Sequence, residues 1–312
     1  MSKITIIIPV YNAEETIERC LNSLLCQSFK DFSIIVVNDG SRDNTQKKLQ
    51  KYSQNKKIKI IQTTNKGVSA ARNLALRHVN SEYVGFVDAD DYVEPNYLQD
   101  LLNGITYNAD IDLAVINIDK LDSDKKVIYH SDYINGIMDA RKFVKYILDF
   151  NGPGGFLWNK LFKKKIIYNN FLSFDSELNV SEDLLFCIKY LKECNLVKIL
   201  NTSGYNYVVT KNGITGKGKN KENKIQFLFN YRLALRKIKK ELSFNFDNAR
   251  PDCEARIVQV DGTLLWLTRD RKSKRKIRLE IKENLDSFRK SRLISNKQKI
   301  ILFIIIFVSY FY

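Results

Sequence analysis

Residues 4–12 read "ITIIIPVYN". From Ile4 to Val10 the run is apolar and mostly β-branched, with no alternation of polar and apolar positions. A strand with one face in water alternates; a strand that does not is covered on both faces. Similar runs recur at 32–38 (FSIIVVN), 58–62 (IKIIQ), 83–88 (YVGFVD) and 111–117 (IDLAVIN). Helix-length amphipathic stretches lie between them, at about 14–26, 43–54, 67–79 and 95–106. In the first of these, Ile17, Leu21, Leu24 and Leu25 recur at helical spacing. Strand and helix in alternation predict right-handed βαβ units, and hence an α/β fold with a mostly parallel sheet flanked by helices.

Ligands of such sheets gather at the carboxyl ends of the strands. The first four runs end in "PVYN", "NDGS", "TTNKG" and "DADD", all polar or turn-forming. The last lies in "GFVDADDYVEP" (85–95), where Asp88, Asp90 and Asp91 crowd into four positions. Like charges so close repel, and the cluster is unfavourable unless a cation joins it. If the strand runs on through the motif, alternation projects Asp88 and Asp90 to one side. Two hard oxygen donors suit Mg²⁺ or Mn²⁺, with phosphate oxygens completing the shell. The plain alternative is an acidic turn that caps the helix near Pro95.

The rest of the 312-residue chain is less regular. Helices are expected over 139–149 and from Ser181 to about 193, with strands near 196–200 and 204–209. "NGPGG" (151–155) reads as a turn, and 210–223, rich in Gly, Lys and Asn, as a mobile loop. From about 222 onward the pattern is helical. The charge is uneven: residues 221–312 hold 22 Lys/Arg against 10 Asp/Glu, a net of +12 out of a total of +16. The expected organisation is therefore a catalytic domain over 1–220 and a helical basic region over 221–312. Five cysteines without CxxC spacing, and an N-terminus without a secretory pattern, predict a reducing cytoplasm. Two histidines, His78 and His130, have no metal-ligand neighbours at useful spacing, which argues against a His/Cys zinc site.

Four segments in order, "ITIIIPVYNAEETIERCLNSLLCQSF", "FSIIVVNDGSRDNT", "NKGVSAARNLAL" and "YVGFVDADDYVEP", resemble the family 2 glycosyltransferases of bacterial surface-polysaccharide synthesis. The resemblance is close over about 3–120 and looser through "WNKLFKKKII" (158–167) and "SEDLLF" (181–186). It implies a GT-A (Rossmann-like) fold and inverting transfer of a sugar from a nucleotide-diphosphate donor to a hydroxyl of a glycan or lipid-linked acceptor. It also implies the roles. Pro9, Tyr11, Asp39, Lys66, Arg72, Asp88 and Ala89 would bind the donor. Tyr11 would pack on the base, and Asp39 would accept the imino N–H of uracil, which favours UDP-sugars; thymine offers the same N–H, so dTDP donors stay open. Asp90 would hold the Mn²⁺ or Mg²⁺, with Asp88 at the ribose or a metal-bound water. Asp183 would be the general base, beside Glu182, in the first turn of a helix capped by Ser181. Trp158, Asn159 and Lys160 would line the acceptor side, Trp158 by offering an aromatic face. Many relatives carry an arginine near "YNYVVTKNGIT", where this chain has Val208; Lys211 would substitute for it.

The C-terminal third lies outside these motifs. Seven of the ten residues 269–278 are Lys or Arg, and the chain ends in the apolar run 300–312. A spanning helix needs about 20 apolar residues, so thirteen do not cross a bilayer. A basic surface with an apolar segment predicts peripheral association with the anionic inner face of the plasma membrane. The alternative is a tail packed on the chain's own core or on a second copy, as in a homodimer. A nucleic-acid binder would show aromatic-interleaved basic strands or a recognised module, and neither is present.

Overall fold

The computed structural model describes residues 1–149, 152–209, 220–242, 246 and 248–308. In chain order the N-terminal half contains β1 (Ile4–Val10), α1 (Ile17–Leu25), β2 (Phe32–Asp39), α2 (Thr45–Gln50), β3 (Ile58–Thr63), α3 (Val68–Leu76), β4 (Tyr83–Phe86), β5 (Tyr92–Val93), α4 (Tyr97–Ile105) and β6 (Ile111–Leu121). Then come β7 (Val127–His130), β8 (Gly136–Asp139), α5 (Ala140–Leu148), β9 (Lys160–Lys163), α6 (Lys164–Asn169), α7 (Glu182–Leu191) and β10 (Leu196–Val208). Four helices close the described chain: α8 (Lys221–Leu242), α9 (Arg250–Leu267), α10 (Arg271–Lys290) and α11 (Asn296–Val308).

The strands form one sheet in the order β3-β2-β1-β4-β9-β6-β10-β5, with β7 on β6 and β8 on β10. β3, β2, β1 and β4 are mutually parallel, as are β6 and β10. β9, which the sequence pattern does not announce, runs antiparallel between β4 and β6 and joins the two parallel groups. The expected pair of strands 196–200 and 204–209 is one strand, β10, whose register against β6 shifts between Ile199 and Tyr205. Part of the expected loop, 221–223, belongs to α8.

Lack of alternation in the sequence becomes alternation in space. Ile7, Ile35 and Val37 face one hydrophobic cluster, with α3, α5 and α7; Ile6, Ile8, Ile34 and Val36 face the other, with α1 and α4. Both sheet faces are therefore dry, which is why the β-branched runs are continuous. The C-terminal helices extend the first cluster through Leu235 and Ile238, Ile257 and Leu264, Ile277 and Phe288, and Leu302. Arg232 on α8 knots three of them, pairing with Asp261 on α9 and Glu280 on α10 at 2.5 Å each. The basic run on α10 is not solvated all round as its first turns suggest: Ile277, Ile281, Asn284 and Phe288 make a buried stripe.

Candidate active site

The site is built where β1, β2 and β4 end. After β1 and β2 two loops clasp each other: the Asn12 N–H donates to Ser41 Oγ (3.0 Å), and the Arg42 N–H to Asn12 Oδ1 (2.8 Å). Gly40 has φ +72°, and a Cβ there would lie 2.7 Å from the Asn65 nitrogen, so only glycine lets these loops close. Tyr11 stands at the end of β1 with 45% of its surface open. Asp39 is buried, and its carboxylate accepts the N–H groups of Lys66 (2.9 Å) and Gly67 (2.8 Å). It thus fixes the loop that leads into α3 and keeps lone pairs for a further donor. Lys66 meets Asp39 through its backbone while its side chain is exposed, and Pro9 is half-buried in β1.

β4 ends at Phe86, before the acidic motif. Asp88–Asp91 is a turn, closed by the Asp91 N–H donating to the Asp88 carbonyl (3.1 Å), so strand alternation does not orient Asp88 and Asp90. Three contacts hold the turn. Asp91 is fully buried and accepts Tyr205 Oη–H (2.7 Å) and the Val208 N–H (2.8 Å). The Asp88 N–H donates to Tyr205 Oη (3.2 Å). Arg19 donates to the Asp90 carbonyl and stacks on Tyr92. Ala89 is buried between them, while Asp88 and Asp90 stay half-open. Burial raises the pKa of all three aspartates; the Arg72 charge opposes the rise at Asp88, and the neighbouring carboxylates add to it at Asp91.

Arg72, on α3, is buried and reaches two carboxylates at once: Glu182 Oε1 at 2.7 Å and Asp88 Oδ1 at 3.3 Å. Its guanidinium also lies over the Phe174 ring, 5.5 Å from the centroid. Arg72 therefore ties the acidic turn to the first turn of α7, where Glu182 and Asp183 sit. Ser181 precedes that helix but does not cap it with its hydroxyl; its backbone is left-handed, φ +58°. Asp183 is half-buried and accepts the Leu184 N–H (2.7 Å). Burial, and then the charge of Glu182, push its carboxyl up to about 7 against the pull of Arg72.

Trp158 is placed differently from the expected acceptor wall. It is only 5% exposed, stacked with Phe156 (4.8 Å), Tyr205 (4.4 Å) and Tyr207 (5.7 Å). The open ring of this ladder is Phe156, at 41%. Asn159 and Lys160 are fully buried behind it, bonded to the 153–156 backbone rather than facing a ligand. Lys211 lies outside the described residues. Reading the sequence missed Tyr205 and Arg19; the only signal for Tyr205 was the aromatic repeat "YNY" on a strand that returns to the acidic turn.

Among the described residues no three His, Cys, Asp or Glu side chains converge as a metal cage. Asp88 and Asp90 offer hard carboxylate oxygens on one tight turn. That donor set fits a cation of the Mg²⁺ or Mn²⁺ kind, which takes one or two carboxylates and completes its shell with phosphate and water.

The profile described as "Glycosyl transferase family 2" matches residues 5–171. The uncharacterized glycosyltransferase EpsJ of Bacillus subtilis is 29% identical over 68% of this chain and 62% of its own length. The poly(ribitol-phosphate) beta-N-acetylglucosaminyltransferase TarS of Staphylococcus aureus is 30% identical over 68% of this chain and 36% of its own. The matched region is thus less than two thirds of either relative. The crystal structure of S. aureus TarS 1–349 in complex with UDP-GlcNAc superposes with a TM-score of 0.62 at 21% identity, covering 92% of this chain and 89% of that one. The mannosyltransferase PcManGT from Pyrobaculum calidifontis, in complex with GDP-Man and Mn²⁺, gives 0.60 at 13% identity, covering 99% and 86%. The shared architecture is the GT-A fold.

Proposed function

Because the chain belongs to glycosyl transferase family 2, we propose that it is an inverting glycosyltransferase acting in cell-surface polymer synthesis. The observation that carries the reading is Arg72, which joins the acidic turn to the helix of Asp183 in one buried ion-paired unit. Donor and acceptor chemistry are thereby held side by side.

On this reading the residues divide the reaction between them. Tyr11 stacks on the base of the donor and Asp39 accepts its imino N–H. Asp183 takes the proton of the acceptor hydroxyl. The freed oxygen attacks the anomeric carbon, a new C–O bond forms, and the bond from that carbon to the diphosphate oxygen breaks with its electrons leaving on the nucleoside diphosphate. Attack from the face opposite the leaving group inverts the centre. Asp90 would hold a divalent cation, with Asp88 at the ribose or a bound water; bound there, the ion would supply positive charge against the charge that grows on the leaving diphosphate. Arg72, paired with Glu182 and Asp88, sets a positive charge between the acidic turn and the helix of Asp183.

We take the donor to be a UDP-sugar, supported by the imino-reading position of Asp39 and by the UDP-GlcNAc complex of TarS. The acceptor is a glycan, a polyol phosphate or a lipid-linked saccharide. The catalytic unit is residues 1–220. The basic helices of 221–312 are the docking region, on the cytoplasmic face of an anionic membrane. A donor screen tests the reading: purified chain, UDP-, dTDP- and GDP-sugars, Mn²⁺ or Mg²⁺, and as acceptors octyl β-glycosides and poly(ribitol phosphate), with nucleotide release as readout. Release above background from one nucleotide class, abolished by chelator, is expected. No release from any donor would refute the proposal.

A further inference from the structure

Lys160 is a buried ammonium that the reaction above does not use. It lies on β9, fully buried, with no carboxylate in ion-pair contact among the described residues. A buried charge without a counter-ion is costly, and it persists only where its hydrogen bonds are fully made. Its donors go to one loop: Nζ reaches the carbonyls of Gly154 (2.9 Å) and Phe156 (2.7 Å), and Asn159 Oδ1 (2.8 Å). Asn159 Nδ2 in turn donates to the Pro153 carbonyl (3.3 Å), and Cys187 Sγ–H to the Gly155 carbonyl (3.2 Å). Four successive carbonyls, 153 to 156, are thus captured by β9 and α7. The loop has no regular structure of its own, so this cation is what shapes it.

The place of the loop gives the cage a purpose. Gly155 is pressed against the first turn of α7: a Cβ there would sit 2.4 Å from Leu184 Cα, one residue after Asp183. The next residue, Phe156, stacks on Trp158, which stacks on Tyr205, whose hydroxyl holds Asp88 and Asp91. Phe156 therefore follows the glycine pressed on the base helix and heads a stack that leads through Trp158 and Tyr205 to the acidic turn, and it is the ring of the ladder left open. An open aromatic face in that position suits the C–H-rich face of a sugar or polyol ring.

We infer that Lys160 is a positioning residue that holds Phe156 as the platform for the acceptor ring beside Asp183. The inference rests on the transfer reaction proposed above. Substituting the ring weakens acceptor binding, and releasing the ammonium does the same at a distance, while the donor half is untouched. Burial lowers the pKa of Lys160 to about 8, opposed by the nearby Cys187 and Asp183.

The test compares wild type with Phe156→Ala, Phe156→Tyr, Lys160→Met and Lys160→Arg. Each is assayed with the donor found in the screen, against octyl β-glucoside, octyl β-N-acetylglucosaminide and poly(ribitol phosphate). Phe156→Ala is expected to raise acceptor KM about 3- to 10-fold, the worth of one stacking contact, with kcat within about twofold. Its acceptor-independent hydrolysis of donor and its UDP affinity should not change, and Phe156→Tyr should restore KM. Lys160→Met should raise acceptor KM in the same direction with UDP affinity unchanged, and Lys160→Arg should recover part of it. Phe156 is on the surface, so its variants fold even if Lys160→Met does not. Transfer with unchanged acceptor KM in Phe156→Ala overturns the inference alone. Absence of nucleotide release from every donor in wild type overturns the transfer reading and this one with it.

Discussion

As the proposed base, Asp183 must be ionised to accept a proton, yet burial and the adjacent Glu182 charge push its carboxyl up to about 7. Two consequences follow at the scale of this one residue. Transfer should fall as the pH drops through about 7, with a single acidic limb in kcat, because the protonated acid cannot take up another proton. Asp183→Asn should remove that limb and lower kcat by about 10²- to 10⁴-fold, while UDP binding measured by calorimetry stays within about twofold; unimpaired turnover would dismiss Asp183 as the base. The same shift bears on stability. A folded-state pKa above the unfolded value means that the folded chain favours the protonated acid, so the contribution is full at low pH and is lost as the pH rises through about 7. Asn mimics the neutral form. Thermal melts should therefore show Asp183→Asn more stable than wild type at pH 8, with the gap closing towards pH 5. A gap that widens at low pH would contradict the assigned shift.

Within the turn after β4, three neighbouring aspartates of one sequence motif have different tasks. Asp91 spends both oxygens on β10, and Asp91→Ala would strand Tyr205 Oη–H and the Val208 N–H in a dry site. Each stranded donor costs about 1–3 kcal/mol, so urea unfolding of Asp91→Ala should lose roughly that much per group. Asp90→Asn, half-open and outside the buried bonds that Asp91 makes to β10, should leave the unfolding midpoint in place and weaken cation-dependent donor binding. Equal destabilisation by the two variants would argue against this division. The contrast also shows what a sequence can reveal about an element. The carboxylates were legible as a cluster because three acids in four positions repel unless something offsets them. The partner of Asp91 was not, because Tyr205 lies 114 positions away and its role exists only once β10 returns to the turn. β1 to β4 and β6 were legible in their Ile and Val runs. β9 was not: "KLFK" is short and flanked by lysines, and its burial comes from being sandwiched between β4 and β6. Lys160 was expected to support the acceptor wall, and only the sandwich shows that it faces inward; Trp158, for which a core place was equally open, is buried in the aromatic stack.

At the scale of the whole molecule, the positive charge and the last helix carry the proposed membrane docking. No helix among the described residues is long and apolar enough to cross a membrane. α11 instead has two sides. Its inner side packs: Leu302 is buried against Gly262 of α9, and Phe303 meets Phe288 of α10 edge-on at 5.8 Å. Its outer side leaves Ile300, Ile301, Ile304 and Phe307 exposed, one face of the helix. Residues 269–299, which precede it, hold 13 Lys/Arg and 4 Asp/Glu. An open apolar face in so basic a region suits an anionic lipid surface better than a second copy of the chain, which would bring an equally basic region against it. The tail thus packs on the chain's own core through Leu302 and Phe303, and its outer face is left exposed. The triple variant Ile300→Asn, Ile304→Asn, Phe307→Ser removes the outer face and keeps Leu302 and Phe303. Wild type should sediment with vesicles containing phosphatidylglycerol and not with pure phosphatidylcholine, and lose binding as salt rises, since each basic residue near the surface contributes about 1 kcal/mol that screening removes. The variant should stay in the supernatant with its nucleotide release unchanged. Retained sedimentation, or a fall from dimer to monomer in light scattering without any vesicle effect, would move the apolar face from the membrane to a subunit contact.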